Sequence, residues 1–196
     1  DNDKIQLIGQ VLLQRGFKDW FLFFFKLVEN KPFEIELIHQ DLFDLFNDIE
    51  TGKILRQVVN IAPRSAKTTL SIYFIAYCFA KNPYCQFIYT SYSQDLLADN
   101  SRRLANILTN TIYTKMYLLN SIEEEQQLNI IDNFWSEYLK KNNDFKITSK
   151  KITTQAGGIC LFASIGSQIT GFGFGDRNRK GFNGCLIIDD GNKNAL

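Results

Sequence analysis

A run of β-type residues, Leu55 to Ile61, passes through a short turn, Ala62 to Ala66, into a segment apolar on nearly every side, Lys67 to Ala80. A strand of the fully buried kind, followed by a helix with no polar face, fits one kind of architecture: a sheet with helices packed against it. Asn82-Pro83 stops that helix. Gln86 to Tyr92 (QFIYTSY) reads as a second strand, and Ser93 is placed to cap a helix reaching about Leu108, with Leu97, Leu104 and Leu108 on one side. Lys150–Gln155 and Ile159–Ile165 flank Ala156-Gly157-Gly158 as a hairpin, and Cys185–Ile188 is a short buried strand ending in Asp189-Asp190. Strands alternating with helices predict an α/β fold with a mainly parallel sheet and its chemistry at the strand C-termini. That places Pro63–Thr68 and Asp189-Asp190 on the same edge, although more than 120 residues separate them.

Ahead of this core, residues 4–29 read as helix in two pieces broken near Gly16, and a further helix runs from about Phe33 to Ile49. The expected division is an N-terminal helical segment, 1–52, and an α/β core, 53–196. Residues 110–144 are polar and irregular and read as an insertion, and Gly166–Gly184 is glycine-rich.

Composition excludes several classes. The net charge of +1 argues against a surface coated with basic residues, so any nucleic-acid contact needs a local patch or further subunits. The four cysteines make no CxxC pair and read as buried thiols in a reducing compartment. His39 is the only histidine, which leaves little support for a zinc site or a Ser-His-Asp triad. The longest apolar run, WFLFFF at Trp20–Phe25, is far short of the roughly 20 residues of a membrane span.

The turn itself, within NIAPRSAKTTL, matches part of the phosphate-binding pattern GxxxxGK[ST], in which loop amides and a helix N-terminus cradle phosphates, Lys neutralises them and the hydroxyl ligates magnesium. Aligned on Lys67, Ile61 and Ala66 occupy the glycine positions. The alternative, a solvated helix N-terminus, explains neither a lysine at the positive end of the helix dipole nor Arg64 beside it. CLIIDD, four apolar residues and two acids, is what a Walker B strand needs: Asp189 to hold magnesium, Asp190 to orient or deprotonate the attacking water. Its alternative is a strand ending in two solvated aspartates.

In order, NIAPRSAKTTL, NPYCQFIYTSYSQDLLADNSRRL, GGICLFASIGSQITGFGFG and FNGCLIIDDGNK resemble the ATPase half of the phage terminase large subunit, over roughly residues 33–193. The resemblance implies a P-loop NTPase-like fold of the ASCE type, with ATP and Mg2+ as cofactors and ATP hydrolysis driving double-stranded DNA into a procapsid. It also implies a portal protein and a small terminase subunit as partners, a homo-oligomeric ring and the host cytoplasm as location. Carried over, Arg64, Ser65, Ala66, Lys67, Thr68 and Thr69 form the nucleotide-binding loop, Thr68 and Asp189 the metal site, and Asp190 and Arg64 the catalytic pair. His39 and Gln40 fall at the family's adenine-side segment, where packing or helix-surface roles are preferred. Gly171, Gly173 and Gly175 read as permitting a tight backbone course, and Arg177, Arg179 and Lys180 as contacts to DNA phosphate or a neighbour, or as a solvated loop.

Three departures stand out. Ala66 replaces the glycine before Lys67, Gly191 replaces a frequent proline, and the sequence stops six residues past Asp190, before further core strands and a nuclease. The chain therefore reads as a truncated packaging ATPase or as a catalytically impaired, prophage-derived remnant. A generic nucleic-acid-binding module using Arg102, Arg103 and 177–180 is the third reading.

Overall fold

A computed structural model of the protein describes residues 2–110, 112–114, 116, 145–167 and 180–189. The break expected near Gly16 separates α1 (Asn2–Arg15) from α2 (Phe17–Glu29). Gly16 has φ 111°, and the first amide of α2, Phe17 N–H, donates to Asn47 Oδ1 at 3.1 Å. The third helix, α3 (Leu37–Glu50), begins four residues later than expected because Glu36 caps it: Glu36 N–H donates to His39 Nδ1 at 2.9 Å, while the Glu36 side chain accepts from the His39 amide. His39 is thus a buried capping residue with its ring edge-on to Phe33, and Gln40 accepts from Lys18 on α2.

The aromatic run belongs to a core helix. Phe17, Trp20 and Phe21 of α2 are buried against α4 (Lys67–Lys81), on which Leu70 and every residue from Ile72 to Ala80 are buried. Ring pairs bridge the two helices, Phe21–Tyr73 at 5.1 Å, Phe17–Phe74 at 5.4 Å and Trp20–Tyr77 at 5.5 Å. Each such pair contributes about 0.5–1.5 kcal/mol beyond area burial. The N-terminal helices and the loop-bearing helix therefore share one core.

The sheet has the order β2-β3-β4-β1-β5, with β1 at Gln86–Ser91, β2 at Phe145–Ile147, β3 at Lys151–Thr154, β4 at Ile159–Ser164 and β5 at Leu186–Ile188. It is mixed rather than mainly parallel: β1 pairs in parallel with β4 and β5, whereas β2, β3 and β4 form an antiparallel meander. The hairpin at Ala156–Gly158 is present, and β2 adds a strand that was not anticipated. Helix α5 (Gln94–Leu108) is capped by Ser93, whose hydroxyl accepts from Leu96 N–H, and buries Leu97, Leu104 and Leu108. Among the described residues, no helix is long and apolar enough to cross a membrane.

One expected strand is not one. Among the described residues Leu55–Ile61 joins no ladder, and Leu55 and Val58 are 90% and 87% exposed. β-type composition records only that a segment fits a pleated, half-buried surface; a strand also needs a neighbour to pair with. No described strand pairs with the outer edge of β5 either, and its Ile188 is 62% exposed.

Close backbone approach dictates two glycines. A Cβ at Gly158 would lie 2.3 Å from Pro83 O. At Gly184, with φ 129°, it would lie 1.8 Å from Gln86 O, because the chain runs hard against β1 just before becoming β5. That approach is fixed by Gln86 N–H donating to Asn183 O at 2.8 Å.

Candidate functional site

The parallel strands β1, β4 and β5 bring their C-terminal ends to one edge, and the start of α4 meets them there. Thr68 Oγ1 donates to Asp189 Oδ2 at 2.6 Å across 121 residues of sequence. This is the juxtaposition expected from the two motifs, although the segment preceding the loop is not a strand.

The loop is built by two residues in the left-handed region, Arg64 (φ 67°) and Ala66 (φ 55°), on either side of Ser65. Alternating hand in successive residues turns amide N–H groups inward and makes an anion-binding concavity. Ala66 is the N-cap of α4 and offers no side-chain acceptor, so the amides of Lys67, Thr68 and Thr69 keep the unpaired hydrogens of a helix start. Ser65 Oγ donates to Ala62 O at 2.8 Å, closing the turn. Lys67 folds back across the loop and donates from Nζ to Ile61 O at 2.9 Å, which leaves two of its three ammonium hydrogens for a ligand. Arg64 is exposed at the turn. Thr69 Oγ1 accepts from Arg103 Nη1 at 3.1 Å, so Arg103 of α5 is also drawn to the start of α4.

Asp189 is held from two sides. Tyr89, on the interior strand β1, donates its phenol hydrogen to the same Oδ2 at 2.5 Å and accepts from Asn100 Nδ2 of α5 at 3.2 Å. Burial, and then the carboxylate beside it, push the Tyr89 phenol far above its ordinary value, so it stays a neutral donor. Tyr89 and Asn100 were not singled out in sequence, where a tyrosine in QFIYTSY is indistinguishable from core. The hydroxyl's reach to Asp189 exists only once β1 and β5 pair. A cleft of about 860 Å3 has Thr68, Asn100 and Arg103 in its wall together with Val28, Glu29 and Leu96.

Among the described residues, no group of three or more His, Cys, Asp or Glu side chains is placed to hold a metal. The pair Thr68 and Asp189 nevertheless fits magnesium, which takes one or two protein oxygens and completes its shell with water and phosphate. A threonine hydroxyl can give a lone pair to such an ion while its hydrogen stays on Asp189.

Asp190, Gly171, Gly173, Gly175, Arg177 and Arg179 lie outside the described residues, and Lys180 is exposed. Cys78, Cys85 and Cys160 are buried and Cys185 half-buried, all four as free thiols. Comparison of the chain with known protein families, with curated proteins and with solved structures finds no match.

Proposed function

We propose that this chain binds a magnesium–nucleoside triphosphate at the start of α4 and hydrolyses it, as the ATPase part of a phage terminase large subunit. One observation carries the reading: a hydroxyl one residue after the loop lysine meets the acid that ends a parallel strand, at 2.6 Å. The loop amides and Lys67 would hold the phosphate chain. Arg64, exposed at the turn, is free to swing its planar fork onto the terminal phosphate. Thr68 and Asp189 would hold the magnesium, which when bound neutralises phosphate charge. Asp190 would orient or deprotonate the attacking water. On this reading double-stranded DNA is the translocated substrate, with a portal protein, a small terminase subunit and further copies of the chain as partners in the host cytoplasm.

A specific observation favours a second reading, an impaired prophage-derived remnant. Ala66 occupies a left-handed position where the phosphate loop calls for glycine, and its Cβ would crowd the approach of a phosphate. Calorimetric titration of ATP into the wild-type chain, Lys67→Ala and Ala66→Gly in magnesium buffer separates the two. The working site gives binding that Lys67→Ala loses and Ala66→Gly strengthens. No binding by any of the three rejects the ATPase reading in favour of the remnant.

A further inference from the structure

We infer that Tyr89 is the positioning residue of the metal site, acting through Asp189, with Asn100 setting the direction of its hydroxyl. The inference rests on the magnesium–nucleotide reading and adds to it a residue that neither motif contains.

Asp189 Oδ2 accepts two short hydrogen bonds, from Thr68 at 2.6 Å and from Tyr89 at 2.5 Å. Two donors on one oxygen fix the rotation of the carboxylate and commit the opposite oxygen, Oδ1, to whatever lies in front of it. Outer partners of this kind orient the groups that hold metals, and their loss typically costs about 10–100-fold in metal affinity or activity. Tyr89 suits the task for three reasons. It sits on an interior strand, β1, which pairs with β4 and β5, so its backbone is fixed on both sides. Its ring packs on Phe162 with centroids 5.5 Å apart, so little freedom is left to the hydroxyl. Finally, Asn100 Nδ2 donates to the hydroxyl oxygen while the hydroxyl itself donates to Asp189, so the amide helps to set the direction of the phenol hydrogen. Asn100 is itself buried and lies in the wall of the cleft beside Thr68.

Two substitutions test this without emptying the core. Tyr89→Phe keeps the ring and removes the donor. Asn100→Asp turns the amide donor into an acceptor, which would draw the phenol hydrogen away from Asp189. ATP affinity is measured calorimetrically for each variant in magnesium and again in EDTA, because the loop amides and Lys67 act in both media and the metal site only in the first. Tyr89→Phe is expected to reduce the magnesium-dependent gain in affinity by about 10–100-fold while leaving affinity in EDTA unchanged. Asn100→Asp is expected to change it in the same direction. An unchanged gain in Tyr89→Phe, or an equal loss in both media, would overturn the positioning role and leave the nucleotide reading intact. A wild-type chain that binds ATP in neither medium would overturn the reading beneath it.

Discussion

Replacing Ala66 by glycine changes one methyl group at the point where the loop's backbone is most constrained. Ala66 sits at φ 55°, ψ 14° as the N-cap of α4, with its carbonyl accepting from Leu70 N–H at 2.8 Å, so it cannot relax without unwinding the helix start. The left-handed conformation costs a residue with a Cβ about 1–2 kcal/mol. Glycine avoids that cost but gives the unfolded chain more freedom, offsetting about 0.4–1 kcal/mol. The net gain is roughly 1 kcal/mol, which in a chain of this size raises the melting temperature by about 2–4 °C. Thermal unfolding followed by circular dichroism reads this directly, with Ala66→Val as the opposing control, since a β-branched residue tolerates the left-handed region worst. A melting temperature that falls on Ala66→Gly, or an Ala66→Val chain as stable as wild type, would refute the reasoning, because it would mean that residue 66 is not held in that conformation.

Two further outcomes follow from the packing. Gly184→Ala forces a Cβ into the Gln86 carbonyl, 1.8 Å away, and should destabilise by at least about 2 kcal/mol or detach β5, seen as a lower urea midpoint; an unchanged midpoint would mean that β5 is not seated against β1. Burial raises the Cys85 and Cys185 thiols from 9.0 to about 12, with Cys185 beside Cys85 adding to its shift. Raised folded values mean that the unfolded chain loses these protons first, so stability is full below about pH 9 and declines as pH climbs toward 12. The urea midpoint should fall over that window, and less steeply in a Cys85→Ala/Cys185→Ala chain. The buried Tyr73, Tyr77 and Tyr89, whose phenols are also pushed up, keep the slope from vanishing.

The elements legible in sequence were those whose signal is local. The glycine break at residue 16, the all-apolar helix at 67–81, the Ser93 cap and the Gly-Gly hairpin each follow from side chains a few residues apart. The meeting of Thr68 with Asp189 was legible to the same degree: the two stood out because a lysine-threonine pair and an acid pair each followed an apolar run. What failed was pairing. Val58, Val59 and Ile61 have strand composition, yet whether a ladder forms depends on a partner, and none is present among the described residues. The parallel sheet was overestimated for the same reason, since the sense of β3 relative to β4 belongs to the hairpin and not to the alternation of strands with helices. Tyr89 was hidden because its hydroxyl and its ring serve different ends, and composition records only the ring.

Helix α4 begins at the loop and is gripped along its length by rings, Tyr73, Phe74 and Tyr77 against Phe17, Trp20 and Phe21. Interlocked rings transmit displacement with little slack, since sliding one past another means passing through steric overlap. Any shift of Thr68 along the helix axis is therefore carried to α2 as the movement of a stiff lever, and the N-terminal helices travel with the loop. Trp20, stacked on Phe24 at 4.5 Å and edge-on to Tyr77, sits at the far arm of that lever. A change at the loop is thereby given an optical reporter on the helix packed against α4.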